Sequence, residues 1–529
     1  MCNIDLSSQE FKLSAAEKFA LAEVYFKENN DEVKELSDIY DFFPLLCSLY
    51  YKQNLQKNVS INSFVCNPFE DFKDQIVQMY GESAAGKIQY CSLVLCVMFN
   101  NTLTEENMST KDKKIGTVIQ DLLEECELNK GTSIKRLRKS LETLEGTYVV
   151  KTDSTYKIMH DKLFDFLAKY FGEKMLQLFF YHANTDFIAE RFIWKITDSM
   201  GTEIESVIKI PDNYIDRYIE RLIRDWKNGY VYSVCHNRNM NSSLFTERFV
   251  KHLNQLDQSK QQELVCTKDI QSKDIALSGS CDIGTVYLVK WLISRNSDIN
   301  YCREDGWFPL LLASQEGHVD VVNELLQHSA DVNKCDNNGV SSLYSAGQKG
   351  HVDVVKELIQ HSADVNKCSN DDASPLYIAS ENGHVDVVKE LLQHSADVNK
   401  CDNNGVSSLY SAGQNGHVDV VKELIQHSAD VNKCNYNDAS PLSIASENGH
   451  VDVVKELLQH LADVNKCNKN DTSPLYIASQ EGHVDVVKEL LQHSADVNKC
   501  NDKGQNPLHV AHDNVHLEIE SLLIKNGAN

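Results

Sequence analysis

"CDNNGVSSLYSAGQKGHVDVVKELIQHSADVNK", Cys335 to Lys367, decides the fold, because it returns as Cys401 to Lys433 with one difference, Asn415 in place of Lys349. A sister stretch, "SPLYIASENGHVDVVKELLQHSADVNK" from Ser374, returns with small edits from Ser440 and Ser473. A fixed period of this length is the signature of a stacked array. Local signals define the unit. Ser374 followed by Pro375 is an N-cap with proline at the first helical position, and Gly383 stops that helix. "DVVKELLQH" then places Val387, Val388, Leu391 and Leu392 on one helical face. "ADVNKC" and the Asn/Asp/Gly cluster after it read as a turn or finger. Each unit is thus two short antiparallel helices and a protruding loop. One unit alone cannot bury its apolar face, so neighbours must stack.

From Asp269 to Asn529 this pattern resembles the ankyrin repeat, in about eight units of 33 residues. The first, ending "GTVYLVKWLISRNSDIN", is degraded, and the last, "NPLHVAHDNVHLEIESLLIKNGAN", is cut short, as the caps of an array should be. Two departures stand out. The usual Thr-Pro-Leu-His becomes Ser-Pro-Leu-Tyr or Ser-Ser-Leu-Tyr, and only His509 keeps the histidine. The usual glycine after the second helix becomes Ser329, Ser362, Ser395, Ser428, Leu461 and Ser494. Left-handed backbone at a non-glycine costs on the order of 1 kcal/mol, and Leu461 is the worst placed.

The resemblance implies a binding module without catalytic chemistry, working through its fingers and inner helices. The finger residues are Arg303, Glu304, Trp307, Asn337, Asn338, Asp371, Asp372, Tyr436, Lys469 and Asp502. Trp307 and Tyr436 are the candidate anchors, since aromatics dominate interface hot spots; for Trp307 the alternative is a cap on the stack. Histidines recur twice per unit, as His384 and His394, with no carboxylate or cysteine converging at ligand spacing, so helix caps and packing explain them and no metal is expected. The asparagines Asn333, Asn366, Asn399, Asn432, Asn465 and Asn498 resemble those that oxygenases hydroxylate in related arrays; a turn role suffices for them.

There are 16 cysteines, none in a C-x-x-C pair. Seven, Cys302, Cys335, Cys368, Cys401, Cys434, Cys467 and Cys500, follow the repeat interval. Stacked layers lie roughly 10 Å apart, beyond the Cα reach of a disulfide of about 7 Å, so these thiols are expected to be reduced. A net charge of −25 argues against a general nucleic-acid binder. The N-terminus "MCNIDLSSQEFKLSAAEKFA" is charged where a signal peptide is apolar, and the best apolar stretch, Cys91 to Phe99, is too short to span a bilayer. The expected setting is cytoplasmic, with no membrane contact and no cofactor.

The first half has no repeat. Residues 1–108 read as helical, with "AAEKFALAEVYF" and "DFFPLLCSLYY" as periodic runs. Residues 109–175 read as helix, helix, hairpin, helix: "IGTVIQDLLEECEL" buries Ile115, Val118, Ile119, Leu122 and Leu123, "SIKRLRKSLETL" follows, "TYVVKTDSTYKIMH" is a hairpin, and "DKLFDFLAKYF" closes with Asp161 at its positive end. This is the order of a winged helix. Residues 176–268 are a helical linker region, including "YIDRYIERLIRDW", and the fold class is mostly α, a helical region with a winged helix followed by the solenoid.

With "FPLLCSLYY", "LEGTYVVK" and the triplet Met159-His160-Asp161 in "IMHDKLFDFLAKYFG", residues 1–260 resemble the segment that follows the ATPase core in STAND-type signalling NTPases. The resemblance implies that His160 once contacted a nucleotide phosphate, that innate immune or stress signalling is the setting, and that a full-length STAND relative is a partner. The ATPase core is missing. "GESAAGKI", Gly81 to Ile88, has the glycines and Lys87 of a P-loop, but Ile88 stands where a hydroxyl must bind Mg²⁺, and "FKDQIVQMY" before it has helical spacing. The family order places the core before Met1, so the chain reads as a natural short form or a clipped gene model. No catalytic constellation is readable. The expected function is a non-enzymatic adaptor or scaffold. The alternatives are a STAND-type nucleotide switch, an NTPase with a degenerate P-loop or a chain acting as a fragment or in trans with an ATPase core, and DNA binding through Lys135, Arg136, Arg138 and Lys139.

Overall fold

The computed structural model describes residues 70–108, 113–129, 132–195 and 207–529. The helical runs expected over 15–26 and 41–51 lie outside the described residues. The protein is mostly helical, as expected, and divides into two compact units, Met1–Arg221 and Leu222–Asn529.

In the first unit, α1 (Glu70–Glu82) and α2 (Ala84–Met98) meet at Ser83, whose extended backbone breaks the helix and whose Oγ accepts the Gly86 N–H at 3.1 Å. The P-loop-like stretch is therefore a helix–cap–helix junction, preceded by a helix rather than a strand. Lys87 is spent on Glu127, 2.9 Å away. From Tyr90 to Met98 every residue of α2 is buried, which is why this run is apolar on all sides.

After β1 (Leu103–Thr104) come α3 (Lys113–Glu125) and α4 (Ile134–Leu144), then the hairpin β2 (Val149–Thr152) and β3 (Thr155–Ile158), then α5 (Asp161–Lys174). The sheet is antiparallel in the order β1-β3-β2, with Val149 opposite Ile158 and Leu103 opposite Tyr156. The five apolar residues expected on one side of α3 are all buried. Next stand α6 (Leu176–His182), α7 (Thr185–Arg191) and a short parallel pair, β4 (Phe192–Ile193) with β5 (Ile208–Lys209), which no sequence pattern announces. The buried Arg221 guanidinium donates to the carbonyls of Phe179, Phe180 and Ala183 at 3.3, 2.9 and 2.7 Å. A cation thereby satisfies the orphan carbonyls at the end of α6.

The second unit begins within α8 (Ile215–Lys227) and continues through α9 (Val231–Cys235), a 3₁₀ turn (Arg238–Asn241), α10 (Ser243–Gln255) and α11 (Gln258–Cys266). Eight antiparallel helix pairs follow, from α12 (Ala276–Ile283) with α13 (Val286–Ser294) to Pro507–Asp513 with Leu517–Lys525. The unit boundary lies upstream of residue 268 because Trp226 stacks on Phe249 and meets Trp291 of the first pair edge-on, 6.2 Å between centroids. The Trp291 Nε1–H also donates to Asn254, and Arg295 to Gln261. The helices before the array are its N-terminal cover.

Within each pair the local code works as the sequence implies. Ser341, Ser374, Ser407, Ser440 and Ser473 cap the first helix through Oγ. Val387, Val388, Leu391 and Leu392 are buried, and the Val-Val and first Leu copies from residue 321 to residue 490 fill the core with them. Ser329, Ser362, Ser395, Ser428, Leu461 and Ser494 are all left-handed, φ 64–67°. At Leu461 the N–H still reaches the Leu458 carbonyl, as at the sister sites, and the side chain is 85% exposed.

Candidate functional site

Two ladders of side chains weld each repeat to the next and so fix the fingers. The first uses the Gly-His step. His417 Nε2 bonds the Glu381 carbonyl at 3.0 Å, and His318, His351, His384, His450, His483 and His516 do the same to the preceding unit. Each ring lies against the glycine of the preceding step; a Cβ on Gly383 would sit 2.7 Å from the His417 ring. Glycine is needed there both for φ +76° and for the close approach. The second ladder uses the asparagines of "ADVN". Asn333, Asn366, Asn399, Asn432 and Asn465 each accept the backbone N–H of an aspartate in the next unit at 2.8 Å. The second histidine of each repeat, His328, His361, His394, His427, His460 and His493, caps its own helix, His394 Nδ1 bonding the Glu390 carbonyl. The described cysteines are all free, and among the described residues no group of three His, Cys, Asp or Glu is placed to hold a metal.

The fingers are tight loops held by their first residue. Asp336 Oδ1 accepts the N–H groups of Asn338 and Val340, both at 2.8 Å, and Asn435 does the same for Asn437 and Ala439. The tip needs a left-handed residue, supplied by Gly339 and Gly405 or by Asp372, Asp438 and Asp471. Consecutive fingers are joined through the main chain: Asn370 N–H to the Asn338 carbonyl, Asn403 to Asp371, Tyr436 to Asn404, Lys469 to Asn437 and Asp502 to Asn470, at 2.9–3.1 Å. The finger residues chosen from sequence therefore form one continuous row.

Along that row their duties differ. Asn337 Nδ2 donates to the Glu304 carbonyl, so it braces its neighbour while staying exposed. Asp372 shapes a tip. Arg303 bonds Asp305 at 2.9 Å and approaches Asp274 at 3.6 Å, with Trp307 half-buried beneath it. Glu304, Asn338, Asp371, Lys469 and Asp502 point to solvent. Tyr436 is 66% exposed yet pinned, its ring packed over Gly405. Sequence reasoning missed Asn370 and Asn403, which occupy the same exposed position as Glu304, Asn337, Tyr436, Lys469 and Asp502; the 33-residue register itself points to them. It also passed over the inner-helix tyrosines. Tyr344 and Tyr377 are half-buried, and burial pushes their hydroxyls up to about 12.

In the first unit, His160 is the N-cap of α5, its Nδ1 accepting the Lys162 N–H at 3.2 Å. Of the four basic residues of α4, Arg138 is paired with Glu105, which also holds Lys151 at 2.7 Å. The two cations, Lys151 first, keep the Glu105 carboxyl below its usual range.

A family model for ankyrin repeats matches residues 277–369, 364–435 and 442–529. Many solved structures match as well. One is the crystal structure of human ASB11 ankyrin repeat domain, 26% identical, covering 42% of this chain and 99% of that chain with a TM-score of 0.39. No curated protein matches. The class that fold and site define is the ankyrin-repeat array, and the C-terminal part of this chain is one. Among the described residues no helix is long and apolar enough to cross a membrane.

Proposed function

We propose that the chain is a non-enzymatic adaptor, a cytoplasmic scaffold whose ankyrin array holds a protein partner on its finger row and inner helices. One observation carries the reading. The ladder residues are copied from unit to unit, while the exposed finger position they present runs Glu304, Asn337, Asn370, Asn403, Tyr436, Lys469, Asp502. A rigid support with a varied edge is the arrangement of a recognition surface. The pinned Tyr436 ring offers contact area at little entropic cost. The test is to set the four non-asparagine positions, Glu304, Tyr436, Lys469 and Asp502, to Asn and measure partner affinity. Loss of binding supports the reading, and retained affinity places the surface elsewhere.

For the first unit the proposed reading is a winged helix related to STAND-type NTPases, a docking platform for a full-length relative in innate immune or stress signalling. The order of β1, α3, α4, hairpin and α5 favours it. His160 then keeps a structural duty as a helix cap. DNA binding is the weaker alternative, because one of the four cations on α4 is neutralised by Glu105.

A further inference from the structure

We infer that the array has a second recognition element, a cleft at its N-terminal end that takes the ammonium of a lysine side chain on the protein partner; this rests on the reading that the array binds a protein. The cleft, of about 90 Å³, lies between α9, the loop 269–275, α12 and Arg303. That is room for several waters or one side-chain head.

The polar groups around it are unevenly used. Asp269 is spent on structure: its carboxylate accepts the N–H groups of Tyr232, Gln271 and Ser272, each at 2.9 Å. Asp282 gives Oδ2 to His236 at 2.8 Å. Asp274 Oδ1 accepts the Ile275 N–H, while Arg303 stands 3.6 Å from its Oδ2, beyond hydrogen-bonding reach. The Ser278 hydroxyl is fully buried beside the Asp274 carboxylate, in no well-formed hydrogen bond. Burial pushes the Asp274 carboxyl up, and the neighbouring Ser278 hydroxyl, the Ile275 N–H and Arg303 do not restore it. The carboxylate is under-compensated.

Chemistry then selects the ligand. The capacity left over is that of acceptors, Asp274 Oδ2 and the second Asp282 oxygen, with a hydroxyl free to turn either way. A donor-only cation answers all three, and a compact ammonium with three N–H bonds suits scattered acceptors better than a planar guanidinium. Val231, Cys235, Ile275 and Leu312 line the same cleft and would receive the methylene stem. Tyr232, 58% exposed and stacked on His236, forms the rim. Arg303 links the cleft to the first finger, so a chain lying on Glu304 and Asp305 has it within reach.

The test titrates the full chain with a fluorescent peptide, acetyl-Gly-Gly-Lys-Gly-Gly-amide, and its Nε-acetylated form. The expected result is saturable binding of the lysyl peptide, weakened at least about tenfold by acetylation and by Asp274→Asn. Arg303→Gln should tighten it several-fold, because the competing cation is gone. Absence of saturable binding, indifference to acetylation, or full affinity in Asp274→Asn overturns the inference. If Asp274→Asn does not fold, Arg303→Gln decides: tighter binding supports the cleft, and unchanged or weaker binding overturns it. A chain that fails this test but loses its partner on the four-finger change keeps the adaptor reading and loses only the cleft.

Discussion

Gly383→Ala probes the Gly-His ladder at the middle of the array. Three terms add. The backbone sits at φ +76°, which costs Ala about 1 kcal/mol. The new Cβ lies 2.7 Å from Cε1 and Nδ1 of His417, an overlap in the overpacking range of about 1–3 kcal/mol. Relief requires the ring to swing, which breaks its bond to the Glu381 carbonyl for about 1 kcal/mol more. The expected loss is about 3–5 kcal/mol. Gly504→Ala is the internal control: φ is +74°, but no atom lies within 4 Å, so only the backbone term of about 1 kcal/mol applies. Urea melts of both full-length variants, followed by circular dichroism, measure the difference. Equal losses would refute the claim that the glycine is needed by the histidine of the next unit. At the last Gly-His step Val515 takes the place of glycine at φ 63°, 72% exposed.

Leu461→Gly should stabilise the array by about 1 kcal/mol, since it relieves a left-handed β-carbon and buries nothing less; an unchanged or lower melting midpoint would count against it. Tyr436→Ala should leave the melt nearly unchanged, because the ring is mostly exposed, but weaken partner binding by about 2 kcal/mol or more as an anchor should, which titration of the two proteins measures. His160→Ala should cost about 1 kcal/mol for the lost cap, and calorimetry with ADP and Mg²⁺ should show no heat of binding in either form. A micromolar ADP affinity that vanishes in the variant would restore the nucleotide-switch reading.

The repeat unit was legible because its signals are local: Ser-Pro at a helix start, Gly at its end, Val-Val and Leu-Leu one helical turn apart. The left-handed run through Leu461 was legible for the same reason. The ladders were not, because their partners are distant in sequence. His417 meets a carbonyl 36 residues back, and Asn399 an N–H 31 residues ahead. Copying shows that such residues matter without showing which atoms meet. The cover formed by α10 and α11 was hidden because it carries no repeat, and the Trp226–Trp291 contact joins segments with no common pattern. Among the finger residues, sequence could not see that Asn337 and Asp372 are partly occupied in shaping the loops. The cleft beside Asp274 sits in the degraded first unit, where the repeat pattern offers no register from which to read it.

Hydrogen–deuterium exchange on the full chain, with and without its bound partner, tests the central claim most directly. The account predicts new protection along the fingers between Arg303 and Asp502 and on the inner helices beneath them, with the outer helices such as Val385–Gln393 unchanged. Protection confined to the outer helices or to residues before Leu222, with the fingers exchanging as in the free chain, would contradict it.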